Sequence, residues 1–300
     1  MSPIRRSRAV LLMTLAAVSW GLGIVMTKIT LEQLKPLDVL GVELFVGAVV
    51  VGGVLVARGR PALGPGWRTF AALGLLEPGL SYALGDFGLD RTGAADAALL
   101  IASETLFAVL LARMVLSERV TPRVAVAVAI GFLGSVAIGV GAVGGGRASV
   151  VGDLLVLAST AAAAAYSVAA RGVARVGQAD ALTVTAVQLA VAAIVSIPLL
   201  AAAAAGGHSD IGTADAAHLL AAVATGLLTT AVPFVLYNVA IRDIEVAGGA
   251  LILNLVPAIA TGLAVVLLGD VLGPLQLIGG GAVVAAAFGA EVASRLQPAG

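Results

Sequence analysis

The chain has 300 residues, 60% of them hydrophobic and only 11% charged, where soluble domains average about 45–50% and about 25%. Its 17 basic and 17 acidic residues cancel, so no bulk charge marks a nucleic-acid partner, and a mean hydropathy of +1.09 excludes an ordinary soluble domain in favour of an integral membrane protein. The absence of cysteine excludes disulfides and thiol chemistry, and two histidines, His208 and His218, are too few for a histidine metal centre; no metal and no cofactor are expected.

A helix needs about 20 apolar residues to cross a hydrocarbon core about 30 Å thick. Cutting the chain at charges, Gly and Pro gives ten candidate spans: 9–29, 37–57, 68–86, 94–115, 123–142, 151–170, 181–203, 216–238, 246–268 and 273–292. The opening MSPIRRSRAVLLMTLAAVSWGLG imitates a signal peptide, but nine further apolar segments follow and it is read as the first span. That span carries Ser19, Gly23 and Thr27 on one face with Trp20 beside them, a mixture suited to an apolar pocket with a few orienting contacts. Lys28 at its outer end is expected to snorkel or to pair with Glu32.

Three glutamates stand where lipid should not tolerate them: Glu43 in the second span, Glu77 in the third and Glu104 in the fourth. A charge at the centre of a membrane helix costs about 2.5–3.5 kcal/mol on insertion scales, so each is expected to face a cavity or a partner. Gly74, Glu77, Ser81 and Gly85 recur at helical steps and share one face, and Pro78 is expected to bend the helix there. Glu104 is a candidate for contacting an amine or cationic group, or for carrying a proton; the structural alternative for all three is a buried, hydrogen-bonded carboxyl. In the fifth span Gly131, Ser135 and Gly139 permit close helix approach. Tyr166 and Ser167 in the sixth occupy the place of Trp20 in the first. Thr225, Thr229, Pro233 and Tyr237 line the eighth at four-residue steps, with Thr229 and Tyr237 as gating or access candidates and interfacial anchoring as the alternative. Asn254, with Ala250, Pro257 and Thr261, gives the ninth span a comparable polar face.

If the N-terminus is cytoplasmic, thirteen Lys and Arg residues fall on the inner side and three, Lys35, Arg91 and Arg147, on the outer. The bias predicts that both termini are cytoplasmic. Self-similarity then sets the architecture. Residues 74–122 align without gaps on 226–274, pairing Glu118 with Asp270 and Pro122 with Pro274, and ELFVGAVV (43–50) aligns on QLAVAAIV (188–195). Five spans per copy force the second copy upside down relative to the first. The expected fold is therefore an all-α integral membrane protein with ten transmembrane helices in two inverted five-helix repeats, 9–142 and 151–292. Such repeats belong commonly to secondary transporters with a midplane substrate site.

The paired halves, SWGLGIVMTK in the first span and the fourth-span pattern ending LLARMVLSERVTP make the chain similar to the EamA-type transporters of the drug/metabolite transporter superfamily. The resemblance covers about residues 9–292 and implies ten helices, two inverted repeats and export of small metabolites such as amino acids. It also implies an arginine where this chain departs with Glu43. The expectation is a multi-pass cell-membrane (inner or plasma membrane) exporter working by alternating access, not an enzyme, with Trp20, Glu43, Glu77, Ser81, Glu104, Tyr166 and Asn254 as substrate-binding candidates. Its partners would be a small-molecule substrate, the bilayer and protons as a candidate coupling ion, in a monomer or homodimer. Rival readings are proton-coupled efflux of drugs or cationic compounds, a non-transporting assembly subunit, and an intramembrane lipid enzyme; the last lacks a nucleophile with a base or a metal-ligand set at one depth.

Overall fold

The computed structural model describes residues 3–59, 66–115, 122–142, 149–174, 180–240, 252–253 and 255–295. Every regular element among them is helical. In chain order they are α1 (Pro3–Thr30), α2 (Pro36–Ala57), α3 (Trp67–Gly74), a first π-helical segment (Leu75–Leu80), α4 (Ser81–Arg91), α5 (Ala94–Ile101), α6 (Glu104–Val115) and α7 (Pro122–Ala142). Then follow α8 (Val150–Ala174), α9 (Ala181–Ala205), α10 (Ala216–Gly226), a second π segment (Leu227–Ala231), α11 (Val232–Ala240), α12 (Leu255–Leu263), a third π segment (Ala264–Leu268) and α13 (Pro274–Arg295). Pro36, Pro122 and Pro274 each open a helix, where a missing N–H costs nothing.

Among the described residues six helices are long and apolar enough to cross a membrane: Ser7–Thr30, Pro36–Ala57, Ala94–Val115, Val150–Ala170, Ala181–Ala205 and Ala216–Ala240. Ala125–Ile138, Leu255–Leu268 and Pro274–Ala286 are shorter apolar stretches. The burial pattern is that of a chain solvated by lipid. Leu11, Val49, Leu133, Leu220 and Val266 are exposed, whereas Ser19, Thr27, Glu43, Asp86, Gln188 and Thr230 are buried.

Packing sorts the helices into two groups. α1 lies against α10, the second π segment, α11 and α12; α8 lies against α3, the first π segment, α4, α5 and α6. Between the groups α2 pairs with α9, and α7 pairs with α13. Two glycines set how closely these helices approach. A Cβ on Gly74 would stand 2.5 Å from both Cα and O of Gln188, and one on Gly226 would stand 2.8 Å from Val46 Cβ and 3.2 Å from Glu43 Cα. Backbone cannot yield as a side chain can, so Gly74→Ala is expected to cost at least about 1–3 kcal/mol and to lower the amount of folded protein. Gly52→Ala, which meets nothing within 4 Å, serves as the control and should leave thermal unfolding in detergent unchanged.

Besides the π segments, two spans are interrupted. The third runs on to Arg91 and breaks at Glu77, whose φ of −146° and ψ of 122° are extended, as a residue before proline prefers. The fourth is interrupted at Ala102–Ser103, so that Glu104 begins a new helix rather than sitting inside one.

One end of the bundle is tied together by polar contacts. Lys28 Nζ donates to the carbonyls of Leu89 (2.6 Å) and Thr92 (2.7 Å), at the exposed end of α4. Thr92 Oγ1 donates to Asp153 Oδ1 at 2.6 Å, Gln276 Nε2 to Asp96 Oδ1 at 2.6 Å, and the Ala95 amide to Asp270 Oδ2 at 3.0 Å. At the same end Ser209 Oγ and the Asp210 amide donate to Asp38. Asp215 caps α10 by accepting from the His218 amide at 2.8 Å. The His218 amide and ring hold its carboxyl down at about 2. Because the folded value is depressed, the cap contributes fully above the ordinary aspartate range and is lost as pH falls through about 2.

Candidate functional site

Where the two packing groups face one another, two interrupted spans and the second π segment deliver carbonyls, carboxylates and aromatic rings to one place. The second π segment shows how. Pro233 has no N–H, so the Thr229 carbonyl four residues earlier has no α-helical donor. Val232 N–H turns to Leu227 O, five residues back, which also releases the Leu228 carbonyl. Side chains from outside the helix take both. Trp20 Nε1 donates to Thr229 O at 2.9 Å and Tyr82 Oη donates to it at 2.6 Å, while Ser19 Oγ donates to Leu228 O at 2.8 Å. π segments of this kind recur at functional sites because they expose backbone groups.

Around this anchor the rings meet edge to face. Trp20 lies 5.7 Å from Phe234 and 5.9 Å from Tyr237 between centroids, and Tyr82 lies 6.2 Å from Phe234. Trp20, Tyr82 and Tyr237 remain half-buried, whereas Phe234 is wholly enclosed. The Thr229 hydroxyl turns back onto the Thr225 carbonyl at 2.8 Å, so it is the backbone of this residue that faces the rings.

The acids join the same group. Tyr82 is within electrostatic reach of Glu43, Glu77 and Asp86, and Glu77 of Glu104. Glu43 accepts from Thr27 Oγ1 at 3.0 Å through Oε1, and its buried Oε2 has no partner among the described residues. Glu104 is the first residue of α6, where the helix dipole favours a negative side chain, and it accepts from Ser167 Oγ at 3.1 Å. Tyr166 is buried, accepts from Gln188 Nε2 at 3.2 Å and lies within electrostatic reach of Glu77 and Tyr237. Ser81 is buried against Ser159, at 3.2 Å from its carbonyl and 3.3 Å from its hydroxyl.

Trp20, Glu43, Glu77, Glu104, Tyr166, Thr229 and Tyr237 therefore share one neighbourhood, and Ser81 borders it on the α8 side. Asn254 lies outside the described residues. Tyr82, Asp86, Gln188 and Phe234 belong to the group although sequence reasoning did not choose them. Proline four residues after Thr229 is the signal that could have exposed the carbonyl anchor.

A helical membrane bundle with broken helices and buried carboxylates at its centre has the build of a transporter. The EamA-like transporter family matches the chain twice, at residues 7–140 and 150–290, and the protein belongs to that family. It is a multi-pass membrane protein of transport. A probable terminal-alkyne amino-acid exporter of Streptantibioticus cattleyicolor is 30% identical over 285 residues, covering 92% of this chain and 91% of the relative. A crystal structure 23% identical in sequence superposes with a TM-score of 0.67 over 98% of this chain and all of the other, and shares the fold.

Proposed function

We propose that this protein exports a small organic metabolite of the amino-acid type across the cell membrane, by alternating access at a site between two inverted five-helix halves. The observation that carries the reading is the joining of Trp20, Tyr82 and Thr229 across the two packing groups, beside Glu43, Glu77 and Glu104. A transporter needs polar groups at mid-depth that neither half completes alone. The exporter relative supports the class of cargo.

Several features support the inverted repeat. Aligning 74–122 on 226–274 lays the first π segment over the second. It also pairs Gly74 with Gly226, and these pack on Gln188 and Glu43, which the second alignment pairs with each other. Exchanging the halves maps the contacts of α1 with α10, α11 and α12 onto those of α8 with α3, α4 and α6. Ten crossings follow when the segmented helix Trp67–Arg91 and the three shorter apolar stretches each span the bilayer. The inverted repeat predicts the sides: a reporter inserted after Gly146 should appear outside and one at the C-terminus inside, and cytoplasmic labelling at Gly146 contradicts it.

The cargo is tested by surveying metabolites in the medium of cells expressing the protein. Enrichment of an amino acid or amine relative to an empty-vector control is the expected result. An unchanged medium across that class contradicts export.

A further inference from the structure

The hydrogen-bonding balance of the central site is one-sided. Five of its donors are spent: Trp20 Nε1 and Tyr82 Oη on the Thr229 carbonyl, Ser19 on Leu228, Thr27 on Glu43 and Ser167 on Glu104. Its orphans are acceptors. Glu43 Oε2, Asp86 Oδ2 and Gln188 Oε1 are buried with no partner among the described residues, in side chains that are 1%, 5% and 1% exposed. A buried acceptor without a donor costs about 1–3 kcal/mol, and more when charged.

The charge balance leans the same way. Glu43, Glu77, Asp86 and Glu104 gather at the centre, while the basic residues of the six long spans, Arg8, Lys28 and Arg113, all lie near span ends. Lys28, the closest along α1, gives hydrogen bonds to the Leu89 and Thr92 carbonyls at the tied end. The half-buried rings of Trp20, Tyr82 and Tyr237 add π surface, which attracts cations.

We infer that the site selects the ammonium group of its cargo and discriminates against a free carboxylate, so that amines and carboxyl-masked amino acids bind in preference to the zwitterionic amino acids. An ammonium brings three donors to buried acceptors that have no partner among the described residues. A carboxylate brings only acceptors, which the unpartnered Asp86 Oδ2 and Gln188 Oε1 cannot pair with. The inference rests on the exporter reading and narrows its substrate class.

The chain provides its own reporter, because Trp20 and Trp67 are its only tryptophans and Trp67 lies at the exposed start of α3. The full chain carrying Trp67→Phe, in lipid nanodiscs, is titrated with phenylalaninamide and with phenylalanine while Trp20 fluorescence is followed. These ligands differ only in the masking of the carboxylate. The amide should bind at least about tenfold tighter, equivalent to about 1.4 kcal/mol. Glu43→Gln, close in shape, should weaken the amide and narrow the difference. Equal or tighter binding of phenylalanine overturns the inference and leaves an amino-acid exporter standing. A fluorescence change with neither ligand also overturns it, and the medium survey, which uses neither, then judges export separately.

Discussion

Trp20→Ala is expected to lower transport by at least about tenfold while leaving the amount of protein in the membrane near that of the parent. Aromatic residues central to a binding site carry energies of about 2 kcal/mol or more, and each 1.4 kcal/mol is a factor of ten. Trp20 is half-buried and spends its indole N–H on a carbonyl that Tyr82 also satisfies. Its loss therefore removes a binding surface without orphaning the Thr229 carbonyl. Tyr166 calls for a different variant, because it is only 4% exposed and alanine there would empty a packed position. Tyr166→Phe keeps the ring and removes the acceptor of Gln188, and should reduce flux at a stability cost of about 1–3 kcal/mol for the unpaired amide, without emptying the packed position. Quantitative blots of membranes beside proteoliposome flux separate the two effects. Loss of Trp20→Ala protein from the membrane would return this residue to a packing role.

The second large effect is expected at Glu104. It stands where the broken fourth span restarts, with Ser167 as a donor and Glu77 within electrostatic reach. Glu104→Gln preserves shape and hydrogen bonding but removes the titratable charge. If protons couple to transport through this residue, flux measured from about pH 5.5 to 8.5 should lose its pH dependence in the variant. Glu77→Gln is the companion, since two neighbouring carboxylates share one titration and neither can be judged alone. Unchanged rates and profiles in both variants assign the carboxylates a structural role and make the protein an uncoupled facilitator.

Much of this arrangement can be read in the amino acids because lipid makes composition decisive. Apolar runs about twenty residues long have few alternatives to a spanning helix, and the repeat is visible in the order of Gly, Pro and acidic residues. Glu43, Glu77 and Glu104 stand out because a buried charge is costly. Harder to read are events that depend on backbone hydrogen bonds. The exposed Leu228 and Thr229 carbonyls arise from a π segment and Pro233 together; Pro233 marks the Thr229 carbonyl, and no side chain marks that of Leu228. Tyr82 and Phe234 look like ordinary apolar positions until the helices bring them beside Trp20. The break at Ala102–Ser103 falls within an apolar run that carries no proline, and only Ser103, an N-cap type of residue before Glu104, announces that a helix restarts there.

Alternating access requires the tied end of the bundle to part during each cycle, and the native absence of cysteine makes that motion directly testable. Gly93 and Asp270 meet there from opposite packing groups, a Cβ on Gly93 standing 3.5 Å from Asp270 Oδ2. The measurement is flux in proteoliposomes of the Gly93→Cys, Asp270→Cys double variant before and after bridging with a short thiol cross-linker, with each single variant treated alike. Bridging should stop transport in the double variant alone, and cleaving the bridge should restore it. Undiminished transport by fully bridged protein would contradict an exporter that works by opening its two ends in turn.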